Sequence, residues 1–162
     1  MPQIIPYRTE YRTAILALSI SSWESVFPLT ANEVPEFVFR SFYPNGWRER
    51  LHADLSTLLD QEPENVDVAL DDNTPVGWIC TRIHPEDSMA EIYVLAVAPT
   101  HQRRGIGQQL INCAVSRARS AGMKMLMVET GDDSGHAPAR ATYESQGFVR
   151  WPVARFFKNL DG

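Results

Sequence analysis

The spacing of apolar positions changes several times along the chain, and each change predicts an element. Ile4-Ile5 reads as a short first strand. From Thr9 to about Val26, the positions Ile15, Leu16, Leu18 and Trp23 have helical spacing, with Thr9 as the N-cap and Pro28 ending or bending the helix. Asn32 to Leu59 is helical again and is broken at Pro44-Asn45-Gly46. Val66 to Leu70 alternates like a strand, Asp71-Asp72-Asn73-Thr74 turns the chain, and Pro75 to Arg82 returns as the second arm of a hairpin. A second turn at His84-Pro85-Glu86-Asp87 leads into the strand Ala90 to Val97.

A broad apolar stripe (Ile106, Leu110, Ile111, Ala114, Val115, Ala118) then predicts a helix to about Ala121, stopped by Gly122. Met125 to Val128 is a buried strand. The polar loop Gly131 to Gly135 separates it from a short helix, Pro138 to Gln146, that ends at Gly147. Phe148 to Lys158 is expected to supply one or two final strands. Strand, helix and strand in succession require a parallel pair with a right-handed crossover, whereas the hairpins require antiparallel neighbours. The expected fold is a single α/β (α+β) domain over residues 1–162. Its sheet is mixed and mostly antiparallel, with the parallel pair at its centre and helices on both faces.

Composition narrows the function. The 162 residues are 44% apolar and 22% charged, as in an ordinary globular chain, and the net charge of −5 argues against nucleic acid or an anionic membrane as the main partner. The N-terminus lacks a basic stretch followed by a long apolar run, and no run is long enough to span a bilayer, so a cytoplasmic location is expected. Cys80 and Cys113 read as reduced thiols, and no Cys/His spacing suggests a metal.

The chemistry concentrates at Arg103-Arg104-Gly105-Ile106-Gly107, between an apolar strand and an amphipathic helix. Glycines there let the backbone approach a ligand, and the helix's first N–H groups favour an anion such as a pyrophosphate. A dinucleotide fingerprint needs a third glycine where this chain has Leu110, which makes a nucleotide-dependent oxidoreductase a poor reading.

The order of elements, together with these residues, resembles the GCN5-related N-acetyltransferase superfamily. Gln102-Arg103-Arg104-Gly105-Ile106-Gly107 matches its Gln/Arg-x-x-Gly-x-Gly/Ala signature. Tyr143-Glu144-Ser145-Gln146-Gly147-Phe148 matches a second motif, a helix tyrosine followed by Gly-Phe. The resemblance covers roughly Pro75 to Lys158. It implies a variable acceptor-side half, 1–73, and an acetyl-CoA-binding half, 74–162.

It also implies acetyl-CoA as the acyl donor. Backbone groups of Leu95, Ala96 and Val97 would pair with the pantetheine arm as an added strand. The segment Gln102, Arg103, Arg104, Gly105, Ile106, Gly107 and Gln108 would hold the pyrophosphate. The implied activity is direct transfer of acetyl to a primary amine of a small molecule or peptide, with a homodimer as one arrangement seen among relatives. The alternative is a non-catalytic acyl-CoA-binding or interaction module of the same fold.

Tyr143 is the expected general acid toward the departing thiolate, since a phenol holds its proton at neutral pH. Glu91 is the expected general base: by strand parity it shares a side with Tyr93, Leu95 and Val97, and some relatives carry a glutamate at that distance. Glu129, or a water, is the other candidate, and Glu24 a weaker one. His136 stands seven residues before Tyr143, where many relatives have asparagine. It is expected on the cofactor's pantetheine, with a proton relay and a purely structural position as the other readings. Arg140 is compatible with a CoA phosphate or with solvent. Trp23, Phe27, Phe42, Tyr43 and Trp47 suit either an acceptor wall or core packing.

Overall fold

A long hairpin organises the chain. In the computed structural model, which describes residues 2–162, strands β2 (Val66–Asp71) and β3 (Thr74–His84) are joined at Asp72 and Asn73. Both joining residues have positive φ (47° and 64°), the pairing that matches the twist of a two-residue turn. β1 (Gln3–Pro6) and β4 (Met89–Val97) add antiparallel on either side, and β5 (Met125–Val128) adds parallel to β4, giving the order β1-β2-β3-β4-β5. The expected mixed sheet and its parallel pair are present. The pair stands at the sheet's end rather than at its centre, because no further strand follows β5.

The described residues form two compact units. The first comprises residues 2–23 and 51–129, and the second residues 24–50 and 130–162.

In the first unit, helices cover both faces of the sheet. α1 (Arg12–Trp23) and the part of α4 (Trp47–Gln61) from Leu51 onward bury Ile15, Leu16, Leu18, Leu55, Leu58 and Leu59 against Val66, Val68, Trp78, Cys80 and Ala96. Trp78 is fully buried there, and its indole N–H donates to Ser19 Oγ at 2.8 Å, while that hydroxyl donates to the carbonyl of Ile15. α5 (Ile106–Ser120) covers the opposite face. Gly77 admits it closely: a Cβ there would stand 3.2 Å from Leu110 Cδ1 and 3.3 Å from Ile106 Cγ2. On that face the buried Asp67 is held by Arg117 through two hydrogen bonds of 2.6 and 3.1 Å.

α5 ends as the sequence predicts. Gly122 adopts a φ of +76°, and the N–H groups of Gly122 and Met123 bond back to Arg119 and Ala118. Cys80 and Cys113 are free, and burial pushes their thiols up to about 12 and about 11, so both stay protonated.

The second unit contains α2 (Phe27–Glu33), α3 (Glu36–Phe42), the first turn of α4, α6 (Ala137–Ser145) and the C-terminal segment. Three expectations change. A 3-10 turn, Thr9–Tyr11, precedes α1, which starts at Arg12 rather than directly after Thr9. Pro28 opens α2 instead of stopping a helix, because its missing N–H falls among those a first turn leaves unbonded. No strand forms after Gly147. Val149, Trp151 and Val153 alternate, but alternation makes a strand only when a neighbouring ladder accepts it, and Pro152 removes one donor. Among the described residues, no single helix is long and apolar enough to cross a membrane.

The Trp78–Ser19 bond is the main polar tie inside the first unit's core. Trp78→Phe, which removes the donor to Ser19 Oγ and leaves a void, is expected to cost about 1–3 kcal/mol in urea unfolding. An unchanged midpoint would contradict that role.

Candidate functional site

β4 is irregular at one residue. Cys80 pairs with Val94 but Thr81 pairs with Ile92, so Tyr93 is extra and the strand bulges there. β5 follows β4 only from Met89 to Ile92 and stops at the bulge. Beyond it, no described strand pairs with β4 on the β5 side.

The direction of the exposed backbone follows from one bond. The N–H of Ala98 donates to the carbonyl of Val76 at 2.8 Å, so the antiparallel alternation assigns Ala96 to the β3 side and turns Leu95 and Val97 outward. Gln102, the first residue of the glycine motif, donates its side-chain amide to the outward carbonyl of Val97 at 3.1 Å.

That edge runs into the turn expected to hold an anion. Arg103 (φ 63°) and Gly105 (φ 82°) are both left-handed, Gly105 is the N-cap of α5, and Gln102 to Gly105 are exposed. Left-handed residues beside a helix start converge successive N–H groups, and the helix dipole adds positive potential. Ile106 differs from its neighbours: it is buried against the sheet, so only its backbone is available to a ligand. The surface fits an extended, amide-bearing arm followed by a diphosphate.

The bulge also revises the placement of Glu91. Glu91 pairs with Arg82, on the α1 side of the sheet with Cys80 and Trp78, whereas Leu95 pairs with Ile79 and Val97 with Gly77, on the α5 side. One extra residue reverses the parity, so Glu91 shares a side with Tyr93 but not with Leu95 and Val97. Its Oε1 lies 2.8 Å from His84 Nε2, and that hydrogen bond raises the pKa of His84 above its ordinary value.

Beside it, Arg82 stacks over the Tyr93 ring at 3.4 Å and bonds Glu62 twice, at 3.0 and 2.7 Å. The bonds from Arg82 outweigh burial and hold Glu62 below the usual carboxylate range. Glu129 follows β5 and is exposed, and Glu24, in the second unit, stands 3.8 Å from Arg48.

In the second unit, Tyr143 lies three positions inside the end of α6. Gly147 takes φ +88° and bonds Glu144, the N–H of Phe148 bonds the carbonyl of Tyr143, and the two rings meet edge to face at 5.6 Å. The Tyr-x-x-x-Gly-Phe motif is therefore a helix stop that clamps the tyrosine ring. Burial pushes the phenol up to about 12, so it keeps its proton throughout the physiological range.

His136 opens α6, with Nδ1 2.7 Å from Asp133 Oδ1, and Thr30 donates to Asp133 Oδ2 at 2.8 Å. Burial alone would raise the Asp133 carboxyl, but the bonds from Thr30 and His136 hold it below its usual range. Arg140 is committed to the loop, donating to the carbonyls of Gly131 and Asp133 at 2.7 Å each. Phe27, Tyr43 and Trp47 pack on one another, with Phe27 stacked on Trp47 at 4.5 Å, while Trp23 packs in the first unit's core. Asp133, Thr30, Arg82 and Glu62 carry site geometry that the sequence reading did not single out. Only the Asp133-x-x-His136 spacing was available as a signal.

The chain is similar to known proteins in sequence and in fold. Mycothiol acetyltransferase of Thermobispora bispora is 29% identical over 153 residues, covering 78% of this chain and 51% of that protein. The one from Thermomonospora curvata is 33% identical over 92 residues, covering 57% and 30%. The chain thus spans about half or less of the length of these relatives.

Among solved structures, the PaiA N-acetyltransferase of Thermoplasma acidophilum, determined with coenzyme A, superposes with a TM-score of 0.69. Its identity is 18%, with coverage of 95% of this chain and 93% of that one. An aminoglycoside acetyltransferase from an uncultured soil metagenomic sample gives 0.61 at 23% identity, covering 98% and 96%. At these identities the structural likeness establishes the fold.

Gly105 offers a direct check on the turn. Gly105→Val puts a branched side chain at positive φ, a strain of about 1–2 kcal/mol, and is expected to weaken coenzyme A binding roughly tenfold by calorimetry. Undiminished affinity would remove the turn from the site. The description "Acetyltransferase (GNAT) family" matches residues 30–148, most of the chain including both motifs, and the chain belongs to that family.

Proposed function

We propose that this protein is an acetyl-CoA-dependent N-acetyltransferase acting on a primary amine of a small molecule. The observation that carries the reading is the outward edge of β4 at Leu95 and Val97, which leads directly into the left-handed turn at the start of α5. The names of the relatives, mycothiol and aminoglycoside acetyltransferases, favour a small-molecule amine over a peptide. Acetyl-CoA, when bound, supplies an acetyl group already activated as a thioester.

The chain's own residues do the rest. The N–H and C=O groups of Leu95 and the N–H of Val97 line up the pantetheine arm as a strand would, which orients the thioester without spending side chains on it. Backbone N–H groups from Arg103 to Gln108, with the positive end of α5, bind the pyrophosphate. Tyr143 donates its proton to the departing sulfur. A phenol is protonated at neutral pH and so has a proton to give, and the Phe148 contact limits how far the ring can turn.

Calorimetry with acetyl-CoA, CoA and NAD, followed by CoA release with putrescine, glucosamine, tyramine and cysteine, tests the reading. Acetyl-CoA is expected to bind and NAD is not, and at least one amine is expected to be acetylated. Tyr143→Phe is expected to keep acetyl-CoA affinity within about twofold and to slow transfer by about a hundredfold or more. Binding of acetyl-CoA with no transfer to any amine would favour the binding-module alternative. Unchanged turnover in the variant would remove Tyr143 from the chemistry.

A further inference from the structure

The most fully built polar constellation in the molecule is the loop before α6. Asp133 is held from two sides: Thr30 on α2 donates to Oδ2 at 2.8 Å and His136 meets Oδ1 at 2.7 Å. An ionised carboxylate has no proton to give, and these bonds keep Asp133 ionised. The shared proton therefore resides on His136 Nδ1, so that in the neutral ring the lone pair is on Nε2, the tautomer a general base requires. No described residue bonds Nε2, and the ring is partly exposed, with 27% of its side-chain surface accessible against 10% for Asp133.

The loop's glycines and arginine serve this pair. A Cβ on Gly131 would land on Asp133 Oδ1, and one on Gly135 would stand 2.7 Å from the Val26 carbonyl and 2.9 Å from Asp133 Oδ2. Arg140 fixes the backbone from below through the carbonyls of Gly131 and Asp133, and Glu33 accepts from the N–H of Ser134 at 2.9 Å. His136 caps α6 and Tyr143 follows seven residues later. Two turns of helix bring both to the same face, about 10 Å apart along the axis.

We propose that His136 is the proton acceptor for the attacking amine, with Asp133 and Thr30 as its positioning residues. The inference rests on the acetyltransferase reading. The ammonium gives its first proton to His136 Nε2, and Asp133 stabilises the imidazolium. The freed nitrogen forms a bond to the thioester carbon as the carbon–sulfur bond breaks. Tyr143 protonates the departing sulfur, the second nitrogen proton returns to the Tyr143 phenolate, and the first leaves His136 for solvent. Glu91, expected as the base, is joined to His84 instead and lies on the α1 side of the sheet.

Two readouts test this. In protein labelled with 15N-histidine, the nitrogen shifts of His136 are expected to report Nδ1–H with an unprotonated Nε2, and Asp133→Asn is expected to move the proton to Nε2. This measurement needs no acceptor. The second readout is the pH–rate profile with the amines acetylated in the screen of putrescine, glucosamine, tyramine and cysteine. The parent rate is expected to fall toward acid.

The other charged groups of the loop, α2 and α6 are committed elsewhere or stand apart: Glu33 to Ser134, Asp132 to Arg150, Arg140 to the loop carbonyls, and Glu144 exposed on α6. His136→Gln is expected to lower kcat by about a hundredfold or more and to leave only the amine's own ionisation in the profile. Asp133→Asn is expected to lower kcat with KM for the amine within about threefold, the pattern of a misplaced proton rather than a lost contact. Glu91→Gln keeps the parent's acid limb.

An Nε2–H tautomer in the parent, or an acid limb unchanged in His136→Gln, would overturn the assignment. Should His136→Gln fail to fold, the tautomer and the Asp133→Asn profile decide. Failure of the parent to bind acetyl-CoA would sink the transferase reading and the base together. Binding and turnover with an unaltered His136→Gln profile would sink the base alone.

Discussion

The proposed donor site depends on one extra residue in β4. Without Tyr93, β4 would continue its register against β3, and a strand beside it would have no reason to stop at Ile92. With it, the ladder to β5 ends and the next outward backbone groups, those of Leu95 and Val97, have no described strand beside them. An exposed edge of this kind is ordinarily a hazard, since any extended chain can pair with it. Here it is short and closed at its far end by Gln102, and it leads into a turn that suits an anion. The bulge is held by more than backbone: Arg82 clamps the Tyr93 ring and is itself fixed by Glu62, which Asn65 also bonds. A guanidinium with both an aromatic face and a carboxylate loses little further entropy in holding that position.

The second unit also relies on backbone geometry. The stop of α6 at Gly147 is a common helix terminator, yet its accompanying apolar contact falls on Tyr143 and Phe148, so the device that ends the helix also immobilises the tyrosine. Ahead of the helix, two glycines make room for a carboxylate between Thr30 and His136. In both places glycine is required for the space or conformation it allows a neighbour.

The strands β1 to β5, helix α5 and helix α6 were legible because their signals are local: alternation, a 3.6-residue stripe, and glycine after the last turn. The glycine turn at the start of α5 was legible for the same reason. What failed depended on partners distant in sequence. The Glu91 parity argument assumed an unbroken strand, and the residue that breaks it, Tyr93, is an ordinary strand former with no mark of a bulge. The C-terminal segment has strand-like alternation at Val149, Trp151 and Val153, but pairing is a property of two segments and no ladder takes it up. Thr30 lies 103 residues from Asp133, so nothing near either one announces the contact.

The central claim is that the outward backbone of β4 receives the pantetheine arm. Amide hydrogen exchange at single-residue resolution, with and without coenzyme A, addresses it most directly. Leu95 and Val97 N–H groups are expected to gain strong protection on binding, while Ala96, already bonded to β3, changes little. Equal protection at all three positions, or none at Leu95 and Val97 under saturating coenzyme A, would contradict the account.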